Sequence, residues 1–270
     1  MKTHILNYEP DRIGGGWTAA RYLHEGLKAI HYEEADIVLI TGPTMASHGE
    51  VEKAKSDGKK IVLRVDNAVR NSRNRGTGMT RLKAFCDVAD LVIYQSEWAK
   101  RFLYPFTKKD GAVILNGVDT KLYNYKNRTI TNPHSYLYAR SSRDEGKQWI
   151  NAWYWYVEQN AKEPESELEI VGKFSSENLE YNFDFYNEER YIFMGEQRSL
   201  VDSFKRNKYF LYSFTNDACS NSLLEARASG CEIVDVCGAI STGGAPEIMD
   251  CEDISVERMV SEYEKVLGGL

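Results

Sequence analysis

Short apolar runs alternate with helix-length segments along the chain, and this alternation constrains the fold more than any other feature of the sequence. In the first half the candidate strands are 3–8, 37–40, 60–65, 91–94 and 112–115. Helical patterns over 15–28, 46–57, 78–88 and 96–103 lie between them. The pattern restarts at Ser135-Tyr136-Leu137-Tyr138-Ala139, with a helix from about 147 to 160 and strands near 168–171, 190–193, 209–213 and 232–236. Helical patterns near 198–206, 220–229 and 255–267 complete the second half. Strands separated by whole helices are joined by crossovers rather than hairpins, so they pair in parallel as βαβ units. Asn116-Gly117-Val118-Asp119 and the polar, strand-poor stretch to Pro133 read as a linker. The expected fold is α/β: two doubly wound parallel-sheet domains facing each other, with the cleft between them as the ligand site. The expected blocks are 1–118, 119–255 and a terminal helix, 256–270, packing back towards the first domain.

Composition narrows the class. Of the 270 residues, 42% are hydrophobic and 27% charged, which excludes disordered and fibrous chains. No apolar run approaches the roughly 20 residues of a membrane span, and the start turns polar at Asn7-Tyr8 without a signal-peptide core. Five cysteines with no C-x-x-C pair argue against a disulfide framework or a zinc knuckle. The expected location is therefore the cytoplasm of a bacterium or of a phage-infected host. Residues 1–118 carry 18 Lys and Arg against 14 Asp and Glu, a net +4, and the remainder 16 against 26, a net −10. That asymmetry suits two domains with different partners. The aromatic cluster Trp149, Trp153, Tyr154, Trp155 and Tyr156 is expected to pack its helix rather than to stack on bases.

The most informative stretch runs from Asp217 through Ala218-Cys219-Ser220-Asn221-Ser222 to Glu225, then Ala226-Arg227-Ala228-Ser229-Gly230 and a strand. It reads as a loop, a short helix capped by Ser220 or Ser222, a glycine stop and a buried strand. Backbone N–H groups at the helix start favour an anionic or hydroxyl-rich ligand. Asp217 and Glu225 are spaced so that both reach the same ligand. Thr242-Gly243-Gly244-Ala245-Pro246-Glu247 makes a second glycine turn leading into a helix.

In these residues the chain resembles the retaining nucleotide-sugar glycosyltransferases of the two-domain GT-B group, family 4. The resemblance spans 116–250 and includes, in order, Asn116-Gly117-Val118-Asp119, Tyr138-Ala139-Arg140 with Lys147, Leu168-Glu169-Ile170-Val171-Gly172, the Asp217–Glu225 stretch and the Gly243-Gly244 turn. Five ordered motifs carry far more weight than one. The resemblance implies two Rossmann-like domains, with the nucleotide-sugar donor, expected to be a UDP-sugar, in the second and a hydroxyl acceptor on the first. It implies that Glu225 binds the donor ribose and that Asp217 holds a hydroxyl of the donor sugar near the N–H groups of Ala218, Cys219 and Ser220. Asn221, Ser222, Gly172 and Glu247 complete the donor set. Arg140 and Lys147 would neutralise the diphosphate, whose charge grows as it leaves. Gly243 and Gly244 would allow close backbone approach.

The sequence also departs from the family. Asp217 replaces a usual Glu and Ser220 a usual Gly, and six residues rather than four separate Arg140 from Lys147, so Arg143 can stand in for either cation. The family's first-domain His is absent; Asp66, in Arg64-Val65-Asp66-Asn67, is either an acceptor ligand or a turn residue. No metal ligand set and no Asp-x-Asp occur, so no metal or other cofactor is expected and the cations take that role. Arg64, Asn67, Arg70, Arg73, Arg75, Arg81 and Lys83 form a basic run that is either a solvated loop or an anionic-acceptor surface. Such an acceptor would be hydroxymethylated DNA, a lipid carrier or an envelope glycan. Gly14, Gly15 and Gly16, on the acceptor side, also fit the G-x-G-x-x-A pattern of a dinucleotide site, and an NAD enzyme is the formal rival. A catalytically silent nucleotide-sugar binder is the other alternative.

Overall fold

A computed structural model of the chain describes residues 1–12, 14–65, 78–139, 145–172, 191–195, 197 and 199–270. The chain divides into two compact units, residues 1–117 with 218–221 and 250–270, and residues 118–217 with 222–249. The return of residues 250–270 to the first unit accompanies the terminal helix expected to pack back towards the first domain; the short return at 218–221 was not expected. Hydrogen bonds explain the short re-entry. The Asn116 amide Nδ2 donates to the Cys219 carbonyl at 3.3 Å and to Asn221 Oδ1 at 2.7 Å.

The first unit holds a five-stranded parallel sheet of β1 (Thr3–Ile5), β2 (Ile37–Ile40), β3 (Lys60–Val65), β4 (Leu91–Tyr94) and β5 (Ala112–Val113), side by side in chain order. The strands are mostly apolar because both faces are covered, with Arg64 of β3 a buried exception. Val38, Ile40, Ile61, Leu63, Val65, Val92 and Tyr94 join one core cluster with α2 (His48–Ser56), α3 (Gly78–Val88) and α4 (Glu97–Thr107). The alternate residues Ile37, Leu39, Val62 and Ile93 join another with α1 (Gly15–Gly26) and the terminal helix Val256–Leu267. That split is the period of two of a strand. The terminal helix buries Met259, Val260, Tyr263 and Leu267, one stripe at helical spacing, and Arg258 clamps the carbonyls of Leu115 and Asn116 at 3.0 and 2.8 Å. A capping box starts α2: Ser47 Oγ accepts from the Glu50 N–H, and the Glu50 carboxylate accepts from the Ser47 N–H.

The expected double winding is absent from this sheet, since its strand order never reverses. It is present in the second. There β6 (Ser135–Ala139), β7 (Glu167–Val171), β8 (Tyr191–Gly195), β9 (Tyr209–Tyr212) and β10 (Glu232–Asp235) lie in the order β10-β9-β6-β7-β8, all parallel. The winding therefore reverses between β6 and β9. Among the described residues the helices of this unit are α5 (Trp149–Lys162), α6 (Val201–Arg206), α7 (Asn221–Ala228) and α8 (Ala245–Asp250), of which α7 begins within the re-entrant segment; the terminal helix is α9. Trp149, Ala152, Trp153 and Tyr156 of α5 are buried, so three of the five expected aromatics pack the core, whereas Tyr154 is exposed and Trp155 half-buried; Tyr136 stacks on Tyr209 at 4.8 Å. Glu169, buried in mid-strand, is held by two bonds from Arg206 at 2.7 and 2.6 Å and by the Asn207 amide at 2.6 Å. Among the described residues no helix is long and apolar enough to cross a membrane.

Candidate donor-site residues at the strand-order reversal

In open parallel sheets, ligands settle outside the carboxyl ends of the strands where the winding reverses. In the second unit that point is marked by the residues following β6 and β9. After β6 the chain passes through a 3₁₀ turn, Glu145–Lys147, and after β9 it runs through Ser213 and Phe214 to Asp217. The two stretches are stitched together. Thr215 N–H donates to the Gly146 carbonyl at 3.0 Å, and the hydroxyls of Ser213 and Tyr138 both donate to the Lys147 carbonyl, at 2.7 and 3.2 Å. Lys147 thus sits on a turn rather than on the first helical turn, because Gln148 adopts a left-handed φ of 51° before α5 begins.

The turn aims Lys147 Nζ at Asp217 Oδ2, 2.5 Å away, with the two side chains only 10% and 12% exposed. The ammonium also lies 4.9 Å from the Phe214 ring. A nearly dry ion pair costs desolvation energy that mutual attraction only partly returns, so its presence at a strand-end crevice calls for a reason. The surrounding backbone holds it in place. Asn216 is left-handed at φ 55°, a conformation Asn tolerates. Gly244 N–H donates to the Asp217 carbonyl at 2.9 Å. At Gly243, φ is 62° and a Cβ would lie 2.4 Å from that carbonyl oxygen, so only glycine lets the two loops approach.

The structure places the other expected donor residues individually. Glu225 is half-buried on α7 and Glu247 lies in the first turn of α8. Gly172 follows β7 and donates to the Gly195 carbonyl at 2.9 Å. Ala218, Cys219, Ser220 and Ser222 are buried. Ala218 to Asn221 pack with the first unit, whereas Asp217 and Ser222 belong to the second. Helix α7 starts at Asn221, directly after Ser220. Arg140 and Arg143 lie outside the described residues, as do Asp66, Asn67, Arg70, Arg73 and Arg75.

Arg64, expected in a basic surface run, is 1% exposed. Its guanidinium donates to the Thr41 carbonyl and to Asn116 Oδ1, both at 2.8 Å. It ties strand ends together rather than facing an acceptor. Asn116, which the sequence marks as a linker residue and as the start of the first ordered motif, is the hub of that network: its side chain also donates to Gln95 Oε1 at 3.0 Å, and its N–H points at Cys219 Sγ at 3.3 Å. Asn221 in turn donates to the carbonyl of Gly15, at the start of α1, at 3.2 Å. Gly14, with φ 135°, precedes α1, and a Cβ on Gly16 would touch Met45 Sδ at 3.4 Å. Burial pushes the Tyr263 phenol up to about 12, the nearby Arg64 partly offsetting it. Among the described residues no group of three His, Cys, Asp or Glu side chains is placed to hold a metal ion.

The fold is shared with glycosyltransferases of the GT-B kind. A structure of HepE from Anabaena in complex with UDP-glucose superposes with a TM-score of 0.70 at 13% identity, covering all of both chains. Sucrose-phosphate synthase from Thermosynechococcus elongatus matches with a TM-score of 0.61 at 16% identity, over 97% of this chain and 73% of that one. The pneumococcal O-GlcNAc transferase GtfA, in complex with UDP and GlcNAc, gives 0.61 at 13% identity, over 94% and 59%. No protein-family profile and no curated protein sequence matches the chain. At these identities the likeness establishes architecture, and the chemistry must come from the site.

Proposed function

We propose that the chain is a glycosyltransferase that moves a hexose from a nucleotide sugar to a hydroxyl acceptor with retention of anomeric configuration. The observation that carries this reading is the Lys147–Asp217 pair, 2.5 Å apart at the point where the second sheet reverses. The Asp217 carboxylate neutralises the Lys147 ammonium. When a nucleoside diphosphate enters, its oxygens take over Lys147, and the cation then meets the charge that grows on the leaving group. Asp217, released from that partner, accepts a hydrogen bond from a hydroxyl of the transferred sugar. Glu225 accepts from the ribose hydroxyls, and Arg140 or Arg143 supplies the second cation. Structures of similar fold hold UDP and UDP-glucose, which supports a uridine donor. Such a division of labour assigns the diphosphate charge to side chains, so turnover persists in EDTA. A supply of nucleotide sugar places the enzyme in the cytoplasm.

The test is transfer of label from UDP-[14C]glucose in the presence of EDTA, with the product anomer read by NMR. A thermal-shift panel of UDP-, GDP- and ADP-sugars against NAD precedes it. Donor stabilisation with a retained anomeric product supports the reading. Stabilisation by NAD alone, an inverted product, or a strict metal requirement contradicts it. Donor binding without transfer to any acceptor would leave a nucleotide-sugar binder.

A further inference from the structure

The amide groups around Asn116 run in one direction, and that direction is forced. Arg64 has donors and no acceptor, so the Asn116 oxygen must be the atom that accepts from it at 2.8 Å. Gln95 imposes the same choice independently. Its Nε2 donates to the Val65 carbonyl at 3.1 Å, which leaves Oε1 to accept from Asn116 at 3.0 Å. Asn116 Nδ2 is thereby fixed as a donor, and its shortest bond, 2.7 Å, goes to Asn221 Oδ1. With its oxygen engaged, Asn221 presents Nδ2 to the Gly15 carbonyl at 3.2 Å. Arg64, Asn116, Asn221 and Gly15 thus form a one-way relay, all of it inside the first unit. We propose that Asn116 is a positioning residue for the transfer step: it anchors residues 218–221 and so sets where Asp217, the residue before them, stands. The proposal rests on the glycosyltransferase reading above.

Asn116 is held at every polar group it has. Its N–H points at Cys219 Sγ at 3.3 Å, and its carbonyl accepts from Arg258 of α9 at 2.8 Å. The next N–H, of Gly117, points at Met259 Sδ at 3.2 Å. A Cβ on Gly117 would lie 2.5 Å from the Ser255 carbonyl oxygen, so the chain there is pressed against the start of α9. Asn116 is therefore a fixed post. From it Nδ2 also reaches the Cys219 carbonyl at 3.3 Å, so two of the four residues 218–221 are gripped directly. Arg64, Gln95 and Asn116 are all buried, so water does not replace a bond that is lost, and an unmade one carries its full desolvation cost.

The grip matters for one side of the site more than the other. The Asp217 carbonyl is secured by the Gly244 N–H at 2.9 Å, and beyond it the chain runs straight into the residues that Asn116 holds. Helix α7 starts at Asn221 and buries Leu223, Leu224 and Ala226, so packing rather than the relay keeps Glu225 in place. Loss of the relay loosens Asp217, which the reading above assigns to the transferred sugar. It spares Lys147 and Glu225, which that reading assigns to the nucleotide. One substitution of the same shape reverses the relay. In Asn116→Asp the carboxylate still accepts from Arg64 but has no proton for Asn221 Oδ1. Asn221 must then turn over to donate, and its oxygen is left facing the Gly15 carbonyl.

The experiment follows UDP release from UDP-glucose by the full chain, with water as acceptor. The bond from sugar C1 to the diphosphate oxygen breaks, the water oxygen bonds C1, and its proton goes to solvent. Wild type is compared with Asn116→Asp, Asn116→Ala, Asn221→Ala and the double variant Asn116→Ala with Asn221→Ala. UDP binding is measured by isothermal titration and local opening by hydrogen exchange. The expected result is a kcat lowered at least about tenfold in both Asn116 variants, since a misplacement of the order of 1 Å costs about a hundredfold. KM and UDP affinity stay at the wild-type values. Exchange quickens over residues 218–222 and is unchanged in β2. The double variant is no slower than the slower single, because both substitutions break one relay. Melting curves show which variants stay folded, and Asn116→Asp decides the matter if Asn116→Ala does not. Unchanged kcat in the folded Asn116 variants overturns the proposal. So does a kcat loss matched by an equal loss of UDP affinity, or full additivity in the double variant. A wild type that neither binds UDP nor releases it from UDP-glucose strikes the donor reading, and the proposal falls with it. A wild type that does both, with Asn116→Asp indistinguishable from it, strikes the proposal alone.

Discussion

Each unit buries a cation at the carboxyl edge of its sheet, and the two are neutralised in opposite ways. In the first, Arg64 is surrounded by neutral acceptors, the Thr41 carbonyl and the Asn116 amide oxygen. In the second, Lys147 meets the carboxylate of Asp217. The difference teaches what each is for. A guanidinium bonded to backbone and amide oxygens closes gaps between strand ends and has nothing to exchange. In the proposed reading, an ammonium paired with a carboxylate at a sheet reversal is handed to an anionic ligand, because a diphosphate offers the same charge and more oxygens.

Removing the two cations should therefore break different things. Lys147→Ala is expected to cost about 2–4 kcal/mol of transition-state stabilisation, the range for loss of one preorganised donor to developing charge. Turnover with UDP-glucose is the readout. Arg64→Leu leaves two buried oxygens without their donor, at roughly 1–3 kcal/mol of fold stability. Urea unfolding should show that loss, while UDP affinity of the folded variant stays at the wild-type value. A comparable loss of UDP affinity in Arg64→Leu would erase the distinction.

Smaller effects sharpen the contrast. Glu225→Ala should weaken UDP binding about tenfold, roughly 1.4 kcal/mol, seen as a smaller thermal shift on adding UDP. Ser47→Ala, which bonds to neither cation, should cost about 1 kcal/mol through the lost cap of α2. Its pH dependence has a definite sign. The backbone N–H of Ser47, and then its hydroxyl, hold the Glu50 carboxyl below its ordinary range. That contribution is complete above the ordinary Glu pKa and disappears as pH falls through the lowered value. Wild type and Ser47→Ala should therefore converge in stability towards acid.

Much of this was legible in the residues, and the failures have physical causes. Ile37–Ile40, Lys60–Val65, Leu91–Tyr94 and Ser135–Ala139 occur where apolar runs place them, because strands covered on both faces announce themselves without alternation. The first strand ends at Ile5 rather than at Tyr8, since Asn7 turns left-handed; a conformation of that kind leaves no trace in hydropathy. Helix α4 runs on to Thr107, past Pro105, which reads as a stop but sits in the last turn. Asp217 and Lys147 were singled out through the family resemblance, but their pairing was not, because 70 residues separate them. The hub at Asn116 was not, because its partners Cys219 and Asn221 are over a hundred residues away.

The central claim is that Lys147 is the ammonium a nucleoside diphosphate takes from Asp217. Isothermal titration of UDP into wild type, Lys147→Ala and Asp217→Ala tests it without needing an acceptor. The account predicts that Lys147→Ala loses most of its UDP affinity, whereas Asp217→Ala keeps it and fails only in transfer from the intact donor. Equal UDP affinity in wild type and Lys147→Ala, with both folded, would contradict it.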